Sequence, residues 1–223
     1  MSTVIETASA LTPDQRFVVY DVDWSVYETM LQILGDRPAP RLTYDGRNIE
    51  LMSPSPAHES YKSEFGRLLE ALAYDLNIPI RTGGSMTFRR SGVKRGLEPD
   101  ECYWIQHEKM VRGKRDIDLE VDPPPDLFIE IDISPGALDR MAICGRLGIP
   151  EVWRFNGESL FIHVLRPDGT YNQQSTSICL PFLPVHELIP FLELDAEIDE
   201  TSRARQFVAH IRQHFSGDRN IGT

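Results

Sequence analysis

Residues 127–134 read LFIEIDIS, an alternation that places unlike chemistry on the two sides of a strand. Leu127, Ile129, Ile131 and Ile133 point one way; Phe128, Glu130, Asp132 and Ser134 point the other. A segment this apolar belongs inside a sheet. Ionising two carboxylates on one of its faces is costly unless positive charge lies between them. A divalent cation is the simplest such partner. A solvated or salt-bridged face is the alternative, since structural ion pairs are common.

A second acidic group lies in GLEPDECYWI, residues 96–105, where Asp100 follows Pro99 between Glu98 and Glu101. Taken alone, Pro-Asp is a frequent turn dipeptide. His58 follows SPSPA at the start of an expected long helix, with Lys62 one turn along the same face. Glu50 lies on the strand before it. Arg89-Arg90 with Lys94-Arg95 offers phosphate contacts, or simply a solvated loop. His210 and His214 have the HxxxH spacing for a shared metal. The Glu that follows the first His in metalloproteases is missing and no third ligand is evident, so a solvated helix face is the simpler reading. No glycine-rich phosphate loop and no GxSxG elbow occur.

The elements that must position these groups are legible in the hydrophobic period. Trp24, Tyr27, Leu31 and Leu34 recur at helical spacing, with Asp23 placed to cap and Gly35-Asp36 and Pro38 to stop the helix. Residues 41–52 read as a hairpin about Asp45-Gly46. Tyr61, Phe65, Leu68, Leu69, Leu72 and Leu76 form one stripe on a long helix ending near Asn77. Strands are expected over 80–90, 101–106 and 126–134, then a short helix over 139–148 closed by glycine. A hairpin about Asn156-Gly157 carries Trp153, read as core. An edge strand over 173–183 and a terminal helix over 203–215 complete the order. Residues 1–15 and 217–223 are read as tails around one domain, 16–216.

The formal net charge is −11, so any nucleic-acid partner must be held by a local basic patch, a metal ion or both. Cys102, Cys144 and Cys179 are odd in number and form no CxxC, which disfavours a disulfide framework or zinc site and suits a reducing compartment. The first residues lack the basic start and apolar stretch of a secretion signal, and no apolar run reaches the length of a membrane helix. A cytoplasmic protein is the expectation.

Taken in order, the hairpin, the Pro-Asp, an acid on a buried strand about thirty residues later, and a helix with a basic residue resemble the PD-(D/E)xK nuclease superfamily. The chain looks most like the Uma-two family of restriction endonucleases. The resemblance rests on YDGRNIELMSPSPAHESYKSEFGRLLEAL, RGLEPDECYWIQHE, DPPPDLFIEIDIS and LDRMAICGRLGIPEVWRFNGESL. It implies a restriction-endonuclease-like α/β fold, a mixed sheet flanked by helices, and a Mg²⁺- or Mn²⁺-dependent DNA endonuclease, plausible as a homodimer. Asp100 and Glu130 match the metal-binding acids, with the Ile131 carbonyl and Asp132 as further ligands. His58 matches a histidine of the family, placed to orient a carboxylate or contact phosphate. The superfamily lysine position holds Asp132, and Arg140 on the next helix takes the basic role. Arginine stays protonated, so Arg140 can stabilise charge but cannot accept a proton. It is equally a surface charge paired with Asp139 or Glu130. A nuclease fold reduced to a binding module, or a structural oligomer whose acids only pair with arginine and lysine, are the other readings.

Overall fold

Turn chemistry builds the first layer. The computed structural model describes residues 12–35, 37 and 39–215. Strand β1 (Gln15–Val19) leads to helix α1 (Trp24–Leu34), then to β2 (Arg41–Tyr44) and β3 (Ile49–Ser53). The Asp45 carboxylate accepts from the backbone N–H of Arg47 at 2.8 Å and Asn48 at 2.7 Å, and Gly46 takes φ 97°, so β2 and β3 close as the expected hairpin. Leu42, Tyr44 and Ile49 bury one face of the hairpin against Tyr27 of α1. The period of two therefore turns Arg41, Thr43 and Glu50 to the other face. Asp23 occupies the cap position of α1 but makes no side-chain capping bond.

Helix α2 (Pro56–Leu76) starts where Ser55 Oγ accepts from the His58 N–H at 3.2 Å, and stops at Asn77 in the left-handed conformation. Then come β4 (Arg81–Thr82), β5 (Phe88–Arg90), β6 (Arg95–Leu97), β7 (Glu101–Trp104), α3 (Glu108–Val111) and β8 (Leu127–Ile131). After these follow α4 (Arg140–Leu147), β9 (Glu151–Phe155), β10 (Leu160–Leu165) and β11 (Tyr171–Gln174). A 3-10 helix (Val185–Phe191) and α5 (Glu200–Phe215) close the order.

The α/β class with a mixed sheet flanked by helices is as expected. The strands form two sheets, β1-β3-β2-β6-β5 and β11-β10-β9-β8-β7-β4. The run 80–90, expected as one strand, breaks at Gly83-Gly84, where Gly84 takes φ 56°; β4 goes to the second sheet and β5 to the first. Strands β1 and β6 were not anticipated. The edge strand shrinks to β11. The expected N-terminal tail gives way at its end, because Asp14 is buried and Gln15 opens β1. Residues 1–11 and 216–223, with the rest of the two expected tails, lie outside the described residues, as do Asp36 and Pro38.

Strand β8 is buried on both sides. Leu127, Ile129 and Ile131 pack with Phe65, Leu68 and Leu72 of α2 and Phe207 and Ile211 of α5. Phe128 packs with Cys102, Trp104, Ile143 and Leu147 on the other side. Trp153 is fully buried, as expected of a core residue. The pair β8–β9 is parallel, so the chain must cross over between them, and α4 is that crossover. Helix α4 lies tight against the β10–β11 turn: a Cβ at Gly145 would run into the carbonyl oxygen of Gly169. Gly145→Ala therefore costs roughly 1–3 kcal/mol in denaturant unfolding despite the better helix propensity of alanine. No helix among the described residues is long and apolar enough to cross a membrane.

Candidate active site

The two sheets meet at Pro99-Asp100. Strand β6 ends at Leu97 in the first sheet and β7 begins at Glu101 in the second, so the Pro-Asp dipeptide is the crossing between them. In the antiparallel β7–β8 ladder Glu101 faces Ile129; extending that register by one residue sets Asp100 opposite Glu130. The Asp100 side chain completes the ladder itself, since Oδ2 accepts from the Ile131 N–H at 2.6 Å. Both carboxylates are buried and line one small cavity with Arg41, His58, Glu98, Ile131, Asp132 and Arg140. Its volume is about 10 Å³, room for about one water-sized particle.

Every carboxylate oxygen of the pair has a donor. Asp100 Oδ1 accepts from His58 Nε2 at 2.7 Å and from Arg41 Nη1. Arg140 grips Glu130 with both arms of its fork, Nε to Oε2 at 2.8 Å and Nη2 to Oε1 at 2.9 Å. Its Nη1 donates to Thr43 Oγ1 at 2.7 Å and Nη2 also to the Glu98 carbonyl at 2.7 Å. Arg140 opens α4 immediately after the cap Asp139, whose carboxylate accepts from the Ala142 N–H at 3.0 Å. The pairing with Glu130 weighed from the sequence is thus present, bidentate and largely buried.

His58 lies between two carboxylates, with Nδ1 3.2 Å from Asp14 Oδ2 on the side away from Asp100. Both ring nitrogens must donate. Burial alone would lower the imidazole, but the bonds to Asp100 and Asp14 outweigh it and raise its pKa to about 9. Asp14 is a hub. It also accepts from Ser134 Oγ at 2.6 Å, the Ser55 N–H at 2.9 Å and Arg16 Nη2 at 3.1 Å. Glu50 stands one step further out, bonded to Arg16 at 2.7 Å and to the Ala137 N–H at 2.6 Å.

The environment separates the two central acids. Burial pushes Asp100 up, yet His58, Arg41 and Arg140 together hold it below its ordinary value. Glu130 is driven up by burial and by the Asp100 and Asp132 charges, with Arg140 opposing. The bidentate guanidinium geometry suits an ionised carboxylate, and Arg140 is the group that opposes the rise.

Asp132 does not join the pair as expected. It borders the cavity, but its Oδ2 accepts from Arg154 Nε at 2.6 Å, across the ladder on β9. Among the described residues no group of three or more His, Cys, Asp and Glu side chains is disposed to hold a metal ion. The three acids expected as ligands do not cluster: Asp132 stands on the rim, held by the cation on the neighbouring strand. Lys62 reaches only Glu59, at 3.5 Å. Arg89 pairs with Glu28 at 3.3 Å and Arg90 bonds the Leu119 carbonyl at 2.9 Å, so neither reaches the carboxylate pair. His210 bonds Glu187 at 2.7 Å.

Arg41, Thr43 and Asp14 were not singled out from the sequence. For Arg41 and Thr43 the signal was there: in a hairpin strand whose Leu42 and Tyr44 face the core, they must face the other way. Nothing local marks Asp14.

An α/β core thus sets two buried carboxylates opposite each other where two sheets meet, ringed by arginines and His58. The chain belongs to the Uma2 family, described as "Putative restriction endonuclease", whose family model matches residues 24–199. Among solved structures it is similar to a "putative nuclease belonging to DUF820" from Anabaena variabilis ATCC 29413, at 15% identity and a TM-score of 0.47, covering 84% of this chain and 99% of that one. None of the curated proteins matches.

Proposed function

We propose that the chain is a Mg²⁺- or Mn²⁺-dependent nuclease that hydrolyses phosphodiester bonds in DNA. The observation that carries this reading is the placement of Asp100, just before β7, opposite Glu130 of β8, both lining one cavity. The donor chemistry suits a hard divalent cation. Magnesium is commonly held by one or two carboxylates, keeping waters and substrate phosphate as its other ligands, so two acids are enough. Each carboxylate has about four lone-pair sites, and the present donors leave some of them open. Asp100 and Glu130 would hold the ion, which would lower the pKa of an attacking water and bind the scissile phosphate.

The remaining roles follow from the chain's own groups. Arg140 and Arg41 each present a guanidinium that can stabilise negative charge developing on phosphate oxygens. His58 fixes the orientation of Asp100 from behind. Asp14 in turn fixes His58, as partners behind metal ligands commonly do. Nicking of plasmid DNA by the purified protein with Mg²⁺ or Mn²⁺ tests the proposal. No nicking where a confirmed nuclease cuts would remove it.

One observation favours a second reading, a nuclease fold retained as a binding module: Arg140 engages both oxygens of Glu130. A single substitution separates the two. In a working nuclease Arg140→Lys loses the fork and the bonds to Thr43 and Glu98, and cleavage falls roughly ten- to hundredfold. In a decayed one the same change restores the superfamily's basic residue, and cleavage rises.

A further inference from the structure

The catalytic cavity has a larger neighbour. A space of about 280 Å³ is bounded by Asp132, Ser134, Arg154, Asn156 and His163, and Asp132 borders both cavities. His163 in turn borders a third space, of about 590 Å³, with Arg146 and Arg95 on its wall. The three spaces adjoin, each sharing a wall residue with the next, Asp132 and then His163.

The polar groups along it are donors with capacity left. Arg154 shares the parallel ladder position of Glu130, so both belong to one face of the sheet. Its Nε and Nη2 both go to a single oxygen, Asp132 Oδ2, and its side chain is 40% exposed. That contact does not use the two-oxygen fork by which arginine holds a carboxylate or phosphate most firmly. Asn156 commits Oδ1 to the N–H groups of Glu158 at 3.0 Å and Ser159 at 2.7 Å, which leaves its amide N–H₂ as a donor. Arg146 stands in the last turn of α4, and Arg95 bonds the carbonyls of Val93 and Lys94. The acids beside these groups are Asp132, Asp139 and, next to Arg95, Asp45; Asp139 is engaged in capping α4 and Asp45 in the β2–β3 turn. In a chain of net charge −11, arginines aligned beside the acidic pair supply the local attraction that the whole molecule lacks.

We propose that Arg154 binds a phosphate of the nucleic-acid strand adjacent to the scissile one, and that the strand's backbone continues past His163 toward Arg146 and Arg95. The identity of the strand rests on the nuclease reading above; the anion site itself rests on the residues around Arg154.

Binding of a fluorescein-labelled short DNA oligonucleotide to the full chain in EDTA, followed by anisotropy across a salt series, tests it without any cleavage. Arg154→Gln is expected to weaken binding roughly tenfold and to reduce the slope of log K against log salt by about one. Arg154→Lys should keep the slope, which a purely structural role for the Asp132 contact would not require. Arg47→Gln, an exposed residue paired with Asp21, should change neither. Unchanged affinity and slope in Arg154→Gln, or no binding by the wild type, would overturn the proposal. The two readings fail separately. DNA cleavage with an Arg154→Gln variant that binds like wild type keeps the nuclease and removes the phosphate site. Arg154-dependent binding with no cleavage under any divalent cation does the reverse.

Discussion

Asp100→Asn and Glu130→Gln are each expected to reduce the proposed metal-supported cleavage of plasmid DNA by roughly 10³-fold or more. The expectation follows from the charge the pair would present. A divalent ion held by two carboxylates contributes several kcal/mol to a phosphoryl transition state, and removing one carboxylate forfeits much of that. Both changes keep the shape of the side chain, and each replaces one accepting oxygen with an amide N–H₂ set against a donor. In Asp100→Asn the amide oxygen can still accept from the Ile131 N–H, as the carboxylate does at 2.6 Å. In Glu130→Gln one oxygen remains for Arg140. Titration calorimetry with Mn²⁺ should show weaker binding in parallel, and thermal unfolding of each variant separates a lost ligand from a lost fold. Cleavage within a few-fold of wild type in either variant would take these acids out of the chemistry.

Asp14→Ala is expected to destabilise the protein by roughly 3–5 kcal/mol at neutral pH, an effect well above that of an ordinary surface change. The Asp14 side chain is wholly buried and accepts from His58, Ser134, Ser55 and Arg16. Its loss leaves buried donors without an acceptor and an imidazolium with one counter-charge in place of two. The effect depends on pH. Burial pushes the Asp14 carboxyl up, but the bonds from His58, Ser134 and Ser55 outweigh it and hold the group well below the usual carboxylate range. Its contribution is therefore complete above an ordinary carboxylate pKa of about 4 and is lost as pH falls toward the lower folded value. His58 has the opposite sign: raised to about 9, its contribution is complete below about 6.5 and lost as pH rises through 9. Urea unfolding of wild type and variant should show the widest gap from about pH 5 to 7, narrowing on acidification. A gap that is small at pH 7, or unchanged at pH 3, would show that Asp14 is not the anchor of His58.

Much of the positioning was legible in the chain itself. The alternation in LFIEIDIS fixes which side chains of β8 meet the α2–α5 core and which meet the site, because strand geometry has a period of two whatever surrounds it. The Asp45-Gly46 turn closes the β2–β3 hairpin by local bonds, and the stripe on α2 selects its buried face. Asp100, Glu130, His58 and Arg140 do converge on one cavity. The division into two sheets was harder to read, since β4 and β5 are two and three residues long and β6 three, too short for alternation to register.

What the amino-acid order determined by itself was thus the direction each side chain leaves its own element, a matter of backbone period and local turns. Only the tertiary structure decided which charges became partners. Ser134 reaches Asp14 across 120 residues, Arg41 reaches Asp100 across 59, and Asp132 turns to Arg154 on the neighbouring strand and away from the acids it was expected to join. A buried charge takes whichever counter-charge the packing brings within hydrogen-bond range, because leaving it unpaired in a low dielectric costs more than any local preference supplies. That selection is made between elements distant in the chain, where neither period nor spacing carries information.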